Sequence, residues 1–294
     1  MNLIISRNKK WCALFMAPAL ILFAVIVVIP MVQSFIYSFY NWNGITTDAF
    51  VGLKNYVKLF KSPELSMSIY NSILYSLILT LYQVGLGTVF AFIFVNMKLK
   101  GSKLCRNVYF FPVLLSASIV AQLWIWIYHG DFGLINKLAQ AMGLSWSQNW
   151  LNNKTQALIA VVIAEAWKGM AYHMLLIYSA MKNVNTEYLE ASRIDGASSV
   201  RQFFSIVLPL TAPTIKVSCL MCLTFGFRAF EMTYLMTGGG PGILTYNLTI
   251  LMYNSMFKLH DYGYGSATAI VIFGICMLVM LVFNRLTRRF DDIY

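Results

Sequence analysis

The stretch EYLEASRIDGASSVRQFFSIVLPL, from Glu187 to Leu210, carries five charged residues in a chain that is 59% hydrophobic and only 11% charged. Asn185 or Thr186 can cap a helix that begins here, and carboxylates in its first turn suit the positive end of the helix dipole. Gly196 interrupts this helix, because glycine accepts the positive φ angles at which a chain turns sharply. The stretch therefore predicts a short soluble helix that ends at a glycine turn.

A second helix with an apolar face is predicted after the glycine. Ser198 or Ser199 can cap its start. Its apolar residues recur at helical spacing, and they are Val200, Phe203, Phe204, Val207 and Leu208. Pro209 and Pro213 then mark the beginning of the next apolar run. This periodicity is compatible both with docking into another protein and with lying on a membrane surface.

The rest of the chain is too apolar for a soluble domain, in which about 25% of residues are charged. Six stretches are long enough to cross a bilayer core of about 30 Å as helices. They cover residues 11–37, 70–95, 108–128, 157–181, 211–235 and 264–286. The sequence thus predicts an all-α integral membrane protein in which residues 1–294 form one transmembrane domain. The helix–glycine–helix segment, residues 185–209, joins the fourth and fifth spans, and the first span is predicted to be retained and not cleaved as a signal peptide.

Basic residues predict the orientation. One side of the membrane would hold Arg7, Lys9, Lys10, Lys98, Lys100, Lys103, Arg106, Lys182, Arg193, Arg201, Arg285, Arg288 and Arg289. The other side would hold Lys54, Lys58, Lys61, Lys137, Lys154 and Lys258. Because Lys and Arg accumulate in cytoplasmic loops, both termini and the 185–209 segment are predicted to be cytoplasmic. The same rule accounts for the net charge of +11, so we expect no nucleic-acid partner.

The charged stretch also follows a motif. Glu190-Ala191-Ser192, Gly196 and Ile206-Val207-Leu208-Pro209 have the spacing E-A-A-x3-G-x9-I-x-L-P. This resembles the EAA motif of bacterial importer permeases, with Ser192 in place of the second alanine. The flanking segments KNVNTEYLEASRIDGAS, FEMTYLMTGGGPG and FVGLKNYVKLF are similar to the carbohydrate-uptake branch, the maltose-type inner-membrane components of binding-protein-dependent transport. The resemblance extends over nearly the whole chain.

This resemblance implies a permease subunit of an ABC importer in the bacterial plasma membrane, with no catalytic site of its own. Its implied partners are a second homologous permease, an ATPase dimer that binds ATP and Mg²⁺, an extracytoplasmic solute-binding protein, a carbohydrate substrate and membrane lipid. The residues implied in coupling to the ATPase are Glu190, Ala191, Ser192, Gly196, Phe203, Phe204, Ile206, Leu208 and Pro209. In keeping with a separate ATPase, the sequence contains no G-x-x-x-x-G-K-[ST] phosphate loop.

Ionisable residues within the predicted spans are costly, at about 2.5–3.5 kcal/mol each at the membrane centre. Glu165 and Lys168 lie in the fourth span, and Arg228 and Glu231 in the fifth. The i,i+3 spacing would place each acid beside its base on one helix face. These residues are predicted either to form buried structural pairs or to line the substrate path.

The resemblance favours the substrate path, because maltose-type permeases form their sugar site from the spans that flank the coupling segment. The candidate substrate-binding residues are Glu165, Gly169, Tyr172, Arg228, Glu231, Ser116 and Gln122. Carboxylate and guanidinium groups can bind sugar hydroxyls by charge-assisted hydrogen bonds. The family pattern often has amides where this chain has Glu165 and Arg228. An acidic sugar, a glycerol phosphodiester or a sugar phosphate is therefore an alternative to a neutral sugar or oligosaccharide.

The remaining motifs predict no metal, cofactor or enzyme active site in this chain. Cys219 and Cys222 have C-x-x-C spacing inside an apolar run, where cysteines serve as packing residues. Gly238–Gly242 is either a tight turn or a loop near the docked binding protein, and the aromatic residues around Trp124 predict an interfacial belt. A membrane enzyme or assembly factor with an amphipathic loop is the alternative from another class, and it would have no ATPase partner.

Overall fold

The structure is a computed structural model that describes residues 9–96, 102–144, 146–153 and 156–288. Several basic residues on which the predicted orientation depends lie outside the described residues, namely Arg7, Lys98, Lys100, Lys154 and Arg289. The orientation therefore stays a prediction.

The described residues fold into α-helices, with one small hairpin. In chain order the helices are α1 (Lys9–Phe23), α2 (Ile29–Tyr37), α3 (Lys54–Lys61), α4 (Pro63–Thr80), α5 (Gly87–Asn96), α6 (Ser102–Phe110), α7 (Ala117–Ile127), α8 (Leu134–Ala141), α9 (Ala157–Lys182), α10 (Thr186–Ile194), α11 (Ser199–Gln202), α12 (Leu208–Phe227), α13 (Glu231–Thr237), α14 (Leu248–Tyr253) and α15 (Tyr262–Leu286). Strands β1 (Tyr40–Trp42) and β2 (Thr47–Phe50) pair antiparallel. The all-α prediction is confirmed.

Wider π-helical turns extend several of these helices. They are Ala24–Val28, Leu81–Leu86, Phe203–Val207 and Asn254–Lys258. The helical stretches long and apolar enough to cross a membrane are Trp11–Tyr37, Pro63–Val95, Ala157–Lys182, Ser199–Phe227 and Tyr262–Leu286. A further crossing is made if Leu104–Leu114 and Ala117–Ile127, which are bent by 100°, count as one span. The chain is thus a multi-pass membrane protein.

Contacts divide the chain into two units. The first contains the described residues up to Lys61 and Met252–Val271, and the second contains Ser62–Leu251 and the described residues from Ile272 onward. Polar contacts join distant segments of the first unit. The Asn55 side chain donates to the carbonyls of Ser38 and Tyr40, at 2.9 and 3.0 Å, and Lys58 pairs with Asp261 at 2.8 Å. The prediction of a single transmembrane domain stays a prediction.

Helix α9 is the centre of the second unit and packs against α4, α5 and α12. Its buried small residues let the neighbouring helices approach closely, as in other membrane proteins. These residues are Ala157, Ala160, Ala164, Ala166 and Ala171. Close packing around α9 holds the fourth span and its ionisable residues beside the second and fifth spans.

The predicted third span is not one continuous helix. Phe111–Leu114 form a 3₁₀ turn that contains Pro112, and the backbone is extended at Leu115 and Ser116. The Ser116 hydroxyl then accepts a hydrogen bond from the Ile119 N–H at 3.3 Å and caps α7. A proline that cannot donate to the helix, followed by a capping serine, explains why the chain bends here.

The fifth span also differs from its prediction, which continued to Leu235. Helix α12 ends at Phe227, and a new helix, α13, begins at Glu231. Asn247 is fully buried and its side chain donates to the Ala229 carbonyl at 2.7 Å. This bond satisfies a backbone group that the end of the helix leaves free, so the break is stabilised by a residue distant in sequence.

Candidate functional site

The charged stretch forms a helix, a glycine turn and a second helix. Of the two predicted caps, the structure uses Asn185, whose side chain accepts from the Glu187 N–H at 3.0 Å. Gly196 has a φ of +78°. The N–H groups of Gly196 and Ala197 donate to the carbonyls of Arg193 and Ser192, at 3.0 and 2.9 Å. This is the Schellman pattern that ends helices at a left-handed glycine.

Helix α10 presents its motif residues outward. Glu190, Ala191 and Gly196 are exposed, and no residue of this helix is buried. Ser192 is half-buried, and its hydroxyl donates to the Leu189 carbonyl at 2.9 Å. No described residue pairs with the Glu190 carboxylate, so this short exposed helix can contact another protein.

The apolar face predicted for the second helix is divided in the structure. After α11, which is capped by Ser198, the π-helical turn Phe203–Val207 changes the register of the side chains and leads directly into α12. Phe203 packs on Phe92 with ring centroids 4.4 Å apart, and Val207 is buried in the same apolar cluster.

Other apolar side chains of this helix remain available at the surface. Val200 and Phe204 are 62% and 61% exposed, whereas Ile206, Leu208 and Pro209 are half-buried. Phe203 therefore packs in the core of the second unit, and Phe204 is a better candidate than Phe203 for a contact with a partner protein.

Gln202 was missed by the sequence analysis. It is the last residue of α11 and is 5% exposed. Its amide donates to the Leu189 carbonyl at 3.0 Å and to the Ser192 hydroxyl at 2.9 Å. The signal in the sequence was its position directly before Phe203 and Phe204. An amide that is buried beside such residues is normally hydrogen-bonded.

Within the spans, the expected ion pairs do not form. Glu165, Lys168, Arg228 and Glu231 are all described, and the structure records no salt bridge within either pair. Glu165 is 8% exposed while Lys168 is only half-buried, so the two side chains meet different surroundings. Arg228 and Glu231 do not share one helix face, because the helix breaks between them.

Glu165 nevertheless lies in a polar cluster. The ionisable side chains within electrostatic range of its carboxylate are Lys168, Glu231 and Tyr75. Tyr75 is fully buried, and its hydroxyl has no hydrogen-bond partner among the described residues. A buried carboxylate beside an unpaired hydroxyl can bind a hydroxyl group of a ligand. Sequence analysis missed Tyr75 because its uncharged candidates came only from the third and fourth spans.

Gly169 has a packing role in this structure. A Cβ atom at this position would collide with the Gln83 side-chain nitrogen. That nitrogen donates to the carbonyls of Glu165 and Ala166, at 3.2 and 3.4 Å. The Cys222 thiol donates to the oxygen of the same Gln83 amide, with its sulfur 3.3 Å away. Gly169 thus lets Gln83 reach the backbone of α9, and the second, fourth and fifth spans meet at this amide.

The other predicted substrate residues are exposed. They are Tyr172, Arg228, Glu231, Ser116 and Gln122. Tyr172 is 47% exposed, and the Nε group of Arg228 donates to the Thr224 carbonyl at 3.4 Å. These side chains can meet a ligand, but Ser116 already uses its hydroxyl as a helix cap. Tyr172 lies on α9, which precedes the 185–209 segment, whereas Arg228 and Glu231 come directly after α12, which follows it.

The glycine-rich segment after α13 forms a tight turn. Gly238, Gly239 and Gly242 all have positive φ angles. A Cβ atom at Gly239 would lie 2.7 Å from the Tyr246 ring. Asn71 of α4 fixes the end of the turn, since its side chain donates to the carbonyls of Leu244 and Tyr246, at 2.9 and 2.7 Å. The tight-turn interpretation therefore accounts for these glycines.

Comparison with known proteins agrees with this architecture. Residues 83–292 match the family described as binding-protein-dependent transport system inner membrane component. The chain is 34% identical to the probable ABC transporter permease protein YurN of Bacillus subtilis, over 95% of this chain and 96% of that protein. It is 33% identical to the multiple sugar-binding transport system permease protein MsmF of Streptococcus mutans, over 97% of both chains.

A solved structure has the same fold. It is a crystal structure of a bacterial ABC transporter involved in the import of the acidic polysaccharide alginate, with a TM-score of 0.84, 21% identity and 97% of both chains covered. Together with the matched family and the permease relatives, the spans and the motif lead to one conclusion. The chain belongs to the binding-protein-dependent transport system inner membrane components, in the branch of sugar ABC transporter permeases.

Proposed function

We propose that this chain forms part of the translocation path of an ABC importer that carries a sugar or oligosaccharide across the bacterial plasma membrane. The observation that carries the proposal is the exposed helix α10, which offers Glu190 and ends at the left-handed Gly196. A separate ATPase dimer binds ATP and Mg²⁺ and receives this helix. A second homologous permease and an extracytoplasmic binding protein complete the importer.

In this proposal α10 and α11 face the cytoplasm, as do both termini. The described basic residues on this side support the orientation, and they include Arg106, Lys182, Arg193, Arg201, Arg285 and Arg288. Closure of the ATPase dimer on ATP draws α10 with it. Because α11 continues through the π-helical turn into α12, this movement reaches the fifth span without an intervening loop.

The substrate path in this proposal passes the polar cluster around Glu165. Buried carboxylate and hydroxyl groups at Glu165 and Tyr75 bind sugar hydroxyls, and the exposed Arg228 and Glu231 extend the polar surface. Tyr172 offers an aromatic face to a sugar ring. An acidic sugar, a glycerol phosphodiester or a sugar phosphate is the alternative substrate, and it is supported by Arg228, which forms no salt bridge with any described residue.

The class of protein is tested by purifying the chain from its native membrane in mild detergent and identifying co-purified proteins by mass spectrometry. We expect a second permease at equal abundance with this chain and, because the ATPase is a dimer, ATP-binding cassette ATPase subunits at twice that abundance. A binding protein recovered with them would provide the means to find the substrate. A folded chain that purifies alone would contradict the proposal and favour a membrane enzyme or assembly factor.

Two substitutions distinguish a neutral from an acidic substrate. Arg228→Ala should raise the half-saturation concentration for uptake roughly tenfold, the effect of losing one hydrogen bond to a charged group. Glu165→Gln should weaken the uptake of a neutral sugar, but it should improve the uptake of an anionic one because it removes a like charge. Uptake is measured with radiolabelled maltose, an alginate trisaccharide and sn-glycerol 3-phosphate.

Arg285→Ala is the matched control, because Arg285 is also exposed but lies in the last turn of α15. It should leave the kinetics of uptake unchanged. If Arg228→Ala and Glu165→Gln both left the kinetics unchanged as well, these residues would have a structural role only.

A further inference from the structure

The bend between α10 and α11 is bridged by one buried side chain. Gln202 is 5% exposed, and its two amide hydrogens are both used on the neighbouring helix. One amide hydrogen is donated to the Leu189 carbonyl, with an N···O distance of 3.0 Å, and the other to the Ser192 hydroxyl at 2.9 Å. Ser192 in turn donates to the same carbonyl at 2.9 Å. The three groups form a closed set of hydrogen bonds across the bend.

Little else fixes the direction of α10 within the described residues. None of its residues is buried, and only the half-buried Leu189 packs against the apolar cluster of the second unit. No described atom lies within 4 Å of the position that a Cβ atom of Gly196 would take, so neighbouring side chains do not brace the turn. The angle between the two helices therefore depends on a glycine backbone and on the Gln202 amide.

We propose that Gln202 is a positioning residue for coupling. It holds α10 at a fixed angle to α11, so that displacement of α10 reaches the turn Phe203–Val207 and the fifth span instead of being absorbed at Gly196. The inference rests on the proposed function, because α10 must be the element that the ATPase moves. Ser192 supplies a second acceptor for the Gln202 amide where the EAA pattern has alanine. We call the two hydrogen bonds from Gln202 to Leu189 and Ser192 the tether.

The first test is Gln202→Met in the assembled importer in proteoliposomes. Methionine keeps the length of the side chain but has no N–H donor. The maximal rate of uptake should fall roughly tenfold, the effect of losing two neutral hydrogen bonds. The half-saturation concentration and the amount of assembled complex should stay at the wild-type level, and ATP hydrolysis should continue. The solute is whichever of maltose, an alginate trisaccharide or sn-glycerol 3-phosphate the wild type transports.

Three further variants test whether the effect comes from the tether. Gln140→Met is the matched control, because Gln140 is exposed in α8, and it should transport at the wild-type rate. Ser192→Ala should lower the maximal rate about threefold, since one hydrogen bond is lost and one remains. The double variant Ser192→Ala/Gln202→Met should be no slower than Gln202→Met alone, because Ser192 acts through Gln202.

A measurement that needs no substrate examines the geometry directly. Nitroxide labels are placed at the exposed positions Glu187 and Arg201, after the exposed Cys12 and Cys105 are replaced by serine. Pulsed electron paramagnetic resonance should give one narrow distance distribution in the complex and a broad one after Gln202→Met. An equally narrow, unshifted distribution in the variant would overturn the proposal.

The kinetic outcomes separate this proposal from the proposed function. Normal transport by Gln202→Met together with lost transport by Gly196→Trp would overturn the role of Gln202 and leave the coupling segment in place. Less assembled complex, with a normal ratio of transport to ATP hydrolysis in the remainder, would make Gln202 a structural residue and also overturn the proposal. Normal transport by both variants would contradict the proposed function itself.

Discussion

Replacement of Gly196 by tryptophan is expected to abolish uptake while the chain still inserts into the membrane. The φ of +78° costs a residue with a Cβ atom about 1–2 kcal/mol. The space around Gly196 is open, with no described atom within 4 Å of the Cβ position. The indole therefore does not disturb the permease itself but projects where the ATPase is proposed to dock. Uptake is measured in membrane vesicles, and insertion into the membrane is measured by immunoblots of the membrane fraction.

Gly143 provides a matched control for this variant. It has a φ of +80°, again with no described atom within 4 Å of its Cβ position, but it follows α8, outside the 185–209 segment. Gly143→Trp therefore introduces similar backbone strain and the same side chain, and it should leave uptake near the wild-type level. Retention of normal uptake by Gly196→Trp would show that this turn does not dock to an ATPase.

Gly226→Ala is expected to cause a large loss of stability in the second unit. Gly226 lies in α12, and its missing side chain lets the helix contact Ser76 of α4. A Cβ atom would collide with the Ser76 hydroxyl and lie 2.5 Å from its Cα atom. Because Ser76 is fully buried, neither helix can yield without separating the second and fifth spans. Overpacking of this kind costs about 1–3 kcal/mol or more.

The measurement is the thermal unfolding of the purified complex in detergent, followed by size-exclusion chromatography. Gly226→Ala should lower the unfolding temperature by several degrees and reduce the yield of monodisperse protein. Gly274→Ala is the control, because Gly274 lies in α15 with no described atom within 4 Å of its Cβ position. Equal unfolding temperatures for the two variants would contradict the close contact between α4 and α12.

Much of the 185–209 segment could be predicted from sequence, because its determinants are local. Asn185 and Ser198 cap helices that begin at the next residue, and Gly196 permits the turn by its own φ angle. The π-helical turn could not be predicted. It depends on Phe203 and Val207 packing into a cluster with residues of α5 and α9. The predicted single apolar face was therefore wrong in its register after Gln202.

The candidate substrate site was predicted less well, for a physical reason. Spacing along a helix places Glu165 near Lys168, but burial of the first and partial exposure of the second depend on neighbouring helices. The pairing of Arg228 with Glu231 assumed a continuous helix, and Asn247 stabilises a break between them. Neither the burial of Glu165 nor the helix break stabilised by Asn247 can be predicted from the neighbouring residues in the sequence.

The sequence by itself determined the membrane class, the family and the glycine turn, because the lengths of apolar runs, helix caps and left-handed glycines act over a few residues. Tertiary structure decided which side chains meet. Gln83 reaches α9 only because Gly169 leaves room for it, and the same amide contacts Cys222 in the fifth span. Such contacts join residues far apart in the chain, and they follow from how the helices pack, which no single segment specifies.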